Sequence, residues 1–118
     1  MNRFIKSFGY AITGWKSFFK TEKNGRIQAF LGMVAIVAGF LLHLHSTEWI
    51  IILFCIGLVL AFEMMNSVIE KMIDHIHPHR HEQVKWIKDV SAGAVLITAV
   101  ISAIIAGIIF IPKIITLL

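Results

Sequence analysis

This chain of 118 residues has one cysteine, two prolines and few charges, and each scarcity excludes something. Cys55 has no partner for an intramolecular disulfide, and because it lies in an apolar run its expected role is packing. No linker rich in Pro, Gly or Ser, no low-complexity stretch and no internal repeat divides the sequence, so residues 1–118 are expected to form a single domain. Neither GxxxxGK[ST] nor GxGxxG occurs, which excludes the two commonest phosphate-cradling loops. The formal charge of +4 comes without a nucleic-acid recognition motif. What the chain has instead is apolar mass. At 58% hydrophobic and 15% charged, with a mean hydropathy of +0.82, it is too apolar for a typical soluble domain, and its apolar residues fall in long blocks.

Those blocks predict an all-α integral membrane protein with three spans, from about Ile27 to Leu44, Trp49 to Ile69 and Val90 to Leu117, each near the roughly 20 residues a bilayer requires. His43 to Glu48 forms a short polar turn without Lys or Arg. Lys71 to Lys88 is a longer segment carrying Lys71, Arg80, Lys85 and Lys88, and Arg3, Lys6, Lys16, Lys20, Lys23 and Arg26 precede the first span. Every basic residue except Lys113 then falls on one side, which the positive-inside rule makes the cytoplasm, with the N-terminus in and the C-terminus out. Topology and anionic headgroups account for the positive charge.

Ahead of the first span, Phe4, Phe8, Ile12, Trp15 and Phe19 recur at helical spacing among Arg3, Lys6, Lys16 and Lys20. The pattern predicts a basic amphipathic helix over about residues 3–20, lying on the inner leaflet. It lacks the compact apolar run and small-residue cleavage site of a secretory signal. Gly32, Ala35 and Gly39 on the first span, and Ala99, Ala103 and Gly107 on the third, are read as small faces for close helix packing. Trp15, Trp49 and Trp86 fall near expected interfaces, where belt anchoring explains them. So small a bundle is expected to oligomerise.

The second span ends in Glu63-Met-Met-Asn66-Ser-Val-Ile-Glu70-Lys-Met-Ile-Asp74. At 100° per residue, Glu63, Asn66, Glu70 and Asp74 fall within about 80° of one another on a helix. An ionisable group at membrane depth is costly, so the stripe is a functional candidate. Glu70 and Asp74 lie near the inner interface, with Lys88-Asp89 at about the same depth before the third span. Two carboxylates one turn apart suit a divalent cation such as Mg²⁺, which takes a few carboxylate oxygens and completes its shell with water and phosphates. Glu63, roughly two turns deeper, can serve as general base for a lipid hydroxyl or as a step in a proton or cation pathway through an oligomeric bundle. The residues alone leave both readings open. An inactive scaffold leaves the buried carboxylates unexplained.

Glu63-x-x-Asn66-x-x-Ile69-Glu70-x-x-x-Asp74, then His81 and Lys88-Asp89, with Gly9-Tyr10 and Glu22-x-x-x-Arg26 upstream, strongly resembles the signature of the small prokaryotic diacylglycerol kinase and undecaprenol kinase family. The resemblance covers nearly the whole chain. It implies a bacterial inner-membrane lipid kinase, a homotrimer with active sites shared between subunits, three transmembrane helices and a surface helix per chain, with ATP as donor and Mg²⁺ as cofactor. In that likeness Glu63 would be the base, and Glu22 and Glu70 would hold Mg²⁺ with the ATP phosphates. Lys88 would neutralise the phosphoryl group in transfer. Arg3, Tyr10, His79, Arg80, His81 and Asp89 would lie towards the nucleotide. Asn66 and Asp74 would complete a polar shell, while Asn24, Arg26 and Ala92, with Glu63, would face the lipid; Ser91, Ala92 and Gly93 match a small-residue stretch beside the reaction centre.

The chain departs from many relatives at His79-Arg80-His81, where they have a carboxylate and an aromatic before the histidine. Glu22-Lys-Asn24-Gly-Arg26-Ile-Gln28 looks more like the Gram-positive, undecaprenol-type branch. His75, His77, His79 and His81 alternate along what reads as a short loop containing Pro78. Such a tract can bind Zn²⁺ or Ni²⁺, but alternation in a loop fixes no tetrahedral geometry, and solvated histidines are the expectation. His43 and His45 are read as ordinary turn residues.

Overall fold

A computed structural model describes residues 2–79 and 81–118, and among them it contains four helices and no strand: α1 (Asn2–Thr21), α2 (Lys23–Leu41), α3 (Ser46–Ile76) and α4 (Glu82–Leu117). The last three are each long and apolar enough to cross a membrane. α2 and α4 make their main contacts with α3, and α1 rests chiefly on the start of α2.

The apolar core lies at the end where α2 turns into α3. His43 takes a left-handed φ of 55° just past the end of α2, and the chain reverses so that Leu44 drops inward beside Ile52 and Ile109, packed by Ala35, Ile56 and Phe110. Glu48 then caps the start of α3 by accepting the backbone N–H of His45 at 2.9 Å, and Lys113 of α4 reaches the same carboxylate at 3.1 Å. Glu48 thus satisfies a helix-end donor and ties α4 to the turn.

The expected small faces have different fates. On α2, a Cβ at Gly32 would sit 3.0 Å from Ile56, and one at Gly39 would sit 2.7 Å from the ring of Trp49, so both glycines mark close approach to α3. Ala99 and Ala103 instead line an open apolar groove of about 480 Å³ between α2, α3 and α4. Gly107 meets nothing nearer than Ile111, at 3.7 Å. Trp49, expected as a belt anchor, packs inward against Gly39 and Phe40. Cys55 is buried and free, in keeping with a packing role.

The helix limits also differ from the hydropathy limits. α3 runs on past Ile69 to Ile76, and α4 begins at Glu82 rather than near Val90. At 1.5 Å per residue these helices are about 46 and 54 Å long, well beyond the roughly 30 Å of bilayer hydrocarbon. Hydropathy finds the lipid boundary, whereas the helices continue on residues that favour helix and pair with one another. The histidine tract is corrected accordingly: His75 lies in the last turn of α3, His77 caps it, and His81 caps α4 with Nδ1 accepting the Gln83 N–H at 3.1 Å. Pro78 explains the break, because it bars the helical region to the residue before it; His77 sits at φ −131°, ψ 80°.

Much of the remaining apolar surface faces outward, including Phe54 on α3 and Leu96, Ile97, Val100, Ile104 and Ile108 on α4. Such area fits lipid as solvent and marks a membrane protein. Replacing Gly39 by Val should cost about 1–3 kcal/mol through overpacking against Trp49 and Leu44. Thermal unfolding in detergent should show the loss, and an unchanged melting temperature would mean that the close approach of α2 to α3 does not depend on glycine at that point.

Candidate functional site

α3 organises the site through one stripe. Its buried residues are Ile52, Cys55, Val59, Glu63 and Ser67, three or four apart, so a single face stays turned inward along most of its length. The stripe begins apolar and becomes polar after Val59. Glu63, at 6% exposure, is the most enclosed charged side chain among the described residues. Glu70 follows about two turns along the same helix, and Glu22 stands at the start of α2.

Glu22 occupies the N-cap position of α2 with extended backbone, φ −104° and ψ 111°, yet its side chain makes no capping bond. Its carboxylate is not committed to the helix end. The corner before it is held by other groups: the Phe18 ring lies over Gly25, where a Cβ would come within 2.5 Å, and Arg26 Nη1 donates to the carbonyls of Phe19 and Lys20 at 2.9 and 3.0 Å. Arg26 therefore closes the C-terminus of α1, a role invisible without the corner.

Glu70 is half-buried and accepts from Asn66 Nδ2 at 3.4 Å, while Asn66 Oδ1 accepts the Ser91 hydroxyl of α4 at 2.7 Å. Beyond the apolar run, Lys88 of α4 forms an ion pair with Asp74 of α3, and Lys85 pairs with Asp89 one turn apart. A cleft of about 680 Å³ at the start of α4 is lined by His81, Glu82, Val84, Lys85, Lys88 and Asp89. The sequence reading took Lys85 only as topological charge, since its i,i+4 partnership with Asp89 exists only if the helix already begins before Lys85.

Of the residues singled out in the sequence, Glu63, Asn66, Glu70 and Asp74 follow one another along α3, Lys88 of α4 pairs with Asp74, Asp89 pairs with Lys85 on α4, and Glu22 stands at the N-cap of α2. Arg3 and Tyr10 stand exposed on α1, Asn24 on α2, Ala92 on α4 and His79 in the connecting loop. Arg80 lies outside the described residues.

Among the described residues, no three His, Cys, Asp or Glu side chains converge as an all-protein metal cage. Mg²⁺ does not need one, since it is commonly held by one or two carboxylates together with substrate phosphates. Glu22 and Glu70 offer hard oxygen donors with little competing commitment, and they fit that chemistry.

The family model for prokaryotic diacylglycerol kinase matches residues 9–110. The chain belongs to the prokaryotic diacylglycerol kinase family. It is similar to the undecaprenol kinase of Bacillus subtilis, with 41% identity over 113 residues that cover 96% of this chain and 92% of the relative. It is 34% identical over 115 residues to the diacylglycerol kinase of Synechocystis, covering 97% of this chain and 66% of that protein. To the diacylglycerol kinase of Haemophilus influenzae it is 34% identical over 107 residues, or 91% of each chain.

The Lys88–Asp74 pair should matter little to stability, because its side chains are 37% and 60% exposed and water screens their attraction. Asp74→Asn should change unfolding free energy by less than about 1 kcal/mol. A larger loss in a denaturation experiment would make the pair a structural clasp between α3 and α4.

Proposed function

We propose that this lipid kinase family member transfers the γ-phosphoryl group of ATP to the primary hydroxyl of a membrane lipid, with undecaprenol as the favoured acceptor and diacylglycerol as the other. The observation that carries the reading is the enclosure of Glu63 on the inward stripe of α3, with Asn66 and Glu70 following on the same helix. Support for undecaprenol comes from the 41% identity to a protein named for that activity, against 34% for two named diacylglycerol kinases.

Glu63 is the base in this proposal. Its carboxylate takes the proton of the lipid hydroxyl as that oxygen attacks the γ-phosphorus and the bond to ADP breaks. An enclosed position suits the task, since the proton acceptor is shielded from bulk water and a lipid alcohol reaches it from the bilayer. Mg²⁺, held by Glu22 and Glu70 together with the phosphates, would supply charge neutralisation. Lys88 leaves Asp74 for the transferring group, adding positive charge where negative charge is spread over phosphoryl oxygens. Asn66 and Asp74 orient these groups, and His79, Arg80, His81 and Asp89, with Arg3 and Tyr10, lie on the nucleotide side. Asn24, Arg26 and Ala92 border the lipid.

α1, with Phe4, Phe8, Ile12 and Trp15 exposed, is read as a basic amphipathic helix on the cytoplasmic leaflet of a bacterial inner membrane, with the N-terminus inside and the C-terminus outside. The three spans and α1 form one domain, and a homotrimer with shared active sites is the proposed assembly. The open groove between α2, α3 and α4 leaves apolar surface for a neighbouring subunit to cover. A proton or cation pathway, the other reading of the carboxylates, uses Glu63 but has no need of Glu22 or Lys88.

Glu63→Gln should abolish transfer of labelled phosphate from Mg-ATP to lipid, by about 10²-fold or more, while leaving nucleotide binding within about twofold of wild type. Turnover at the wild-type rate would remove Glu63 as the base.

A further inference from the structure

Ser91 carries no role in the mechanism so far, yet its hydroxyl is the first member of a hydrogen-bonded relay from α4 to α3. The polarity of that relay is fixed by chemistry. Asn66 turns its Nδ2 towards a carboxylate oxygen of Glu70, which accepts, and its Oδ1 away. The oxygen so placed meets Ser91 Oγ at 2.7 Å, and Ser91 must be the donor. Without that donor, the half-buried amide would be held only by its long 3.4 Å contact with Glu70 and would be free to swing about it.

We propose that Ser91 is a positioning residue: its hydroxyl fixes the Asn66 amide, and the amide holds Glu70 Oε1 so that the second carboxylate oxygen remains for a divalent cation. The inference rests on the reading of Glu70 as a cation ligand. It adds a reason for α3 and α4 to pack closely at this depth, since the relay requires a residue from each helix. The Asn66–Glu70 link, at 3.4 Å, is the longer of the two and has room to tighten when a cation draws Glu70 into place. Outer partners of metal-binding groups commonly set affinity by orienting the ligand rather than by touching the metal.

The test titrates purified wild type, Ser91→Ala, Ser91→Thr and Glu70→Gln with Mn²⁺ in the presence of a non-hydrolysable ATP analogue, reading bound Mn²⁺ by electron paramagnetic resonance. Ser91→Ala should bind the metal about tenfold more weakly, with an unchanged melting temperature, because alanine is the best helix former. Ser91→Thr, which restores the hydroxyl, should return to within about twofold of wild type. In turnover assays the loss should fall on the KM for Mg-ATP more than on kcat. Wild-type affinity in Ser91→Ala beside weak binding in Glu70→Gln would overturn the relay and leave Glu70 as a ligand. Wild-type affinity in Glu70→Gln would overturn both. Should Ser91→Ala melt early, weak binding in a stably folded Ser91→Thr would likewise refute the role of the hydroxyl.

Discussion

The enclosure of Glu63 on the inward face of α3 is the constraint on which the rest of the structure depends. A carboxylate taken from water towards hydrocarbon costs on the order of 3 kcal/mol even on the mildest scales. The chain accepts that burden at one position of a seam that is otherwise apolar for its first half, Ile52, Cys55 and Val59. The requirement to keep one face turned inward makes α3 the element against which α2 and α4 both pack. It also sets the order of polarity along the seam: enclosed carboxylate, half-buried amide and hydroxyl, then exposed ion pairs. A lipid hydroxyl approaching from the bilayer and a nucleotide approaching from water would meet such a gradient from opposite ends.

The two ends of the bundle are stabilised differently, and for a physical reason. At the end where α2 turns into α3, Glu48 has two partners, His45 N–H and Lys113, in a turn that also buries Leu44 and half-buries Trp49. That end is fixed. At the opposite end the ion pairs are partly or fully exposed, the carboxylates of Glu22 and Glu70 are lightly committed, and Lys88 is held by a single partner. Interactions of this strength are easily exchanged for phosphate oxygens, which suits a site that must accept and release a nucleotide.

What the sequence made legible was periodic. Three apolar blocks gave three spans, and the spacing of Glu63, Asn66, Glu70 and Asp74 placed them on one helix face before any coordinates. Family membership was also readable, from fixed positions spread over nearly the whole chain. What escaped was set by tertiary arrangement or by a change of solvent. The ends of α3 and α4 were missed because hydropathy reports lipid contact, while Lys71, Asp74, Lys85 and Lys88 continue the helices beyond it. The histidine tract looked like one loop because Pro78 was visible and the helices on either side were not. Arg26 as a clasp on Phe19 and Lys20, and Ser91 as donor to Asn66, involve partners six to twenty-five residues away and exist only once helices are placed together.

The central claim is that the enclosed carboxylate serves phosphoryl transfer to a lipid alcohol. Its most direct measurement offers undecaprenol and diacylglycerol in parallel, in mixed micelles, to purified protein with γ-labelled Mg-ATP. The account predicts label in lipid, with undecaprenol the better acceptor. Label in neither lipid, while control lipid kinases are active in the same micelles, would contradict it.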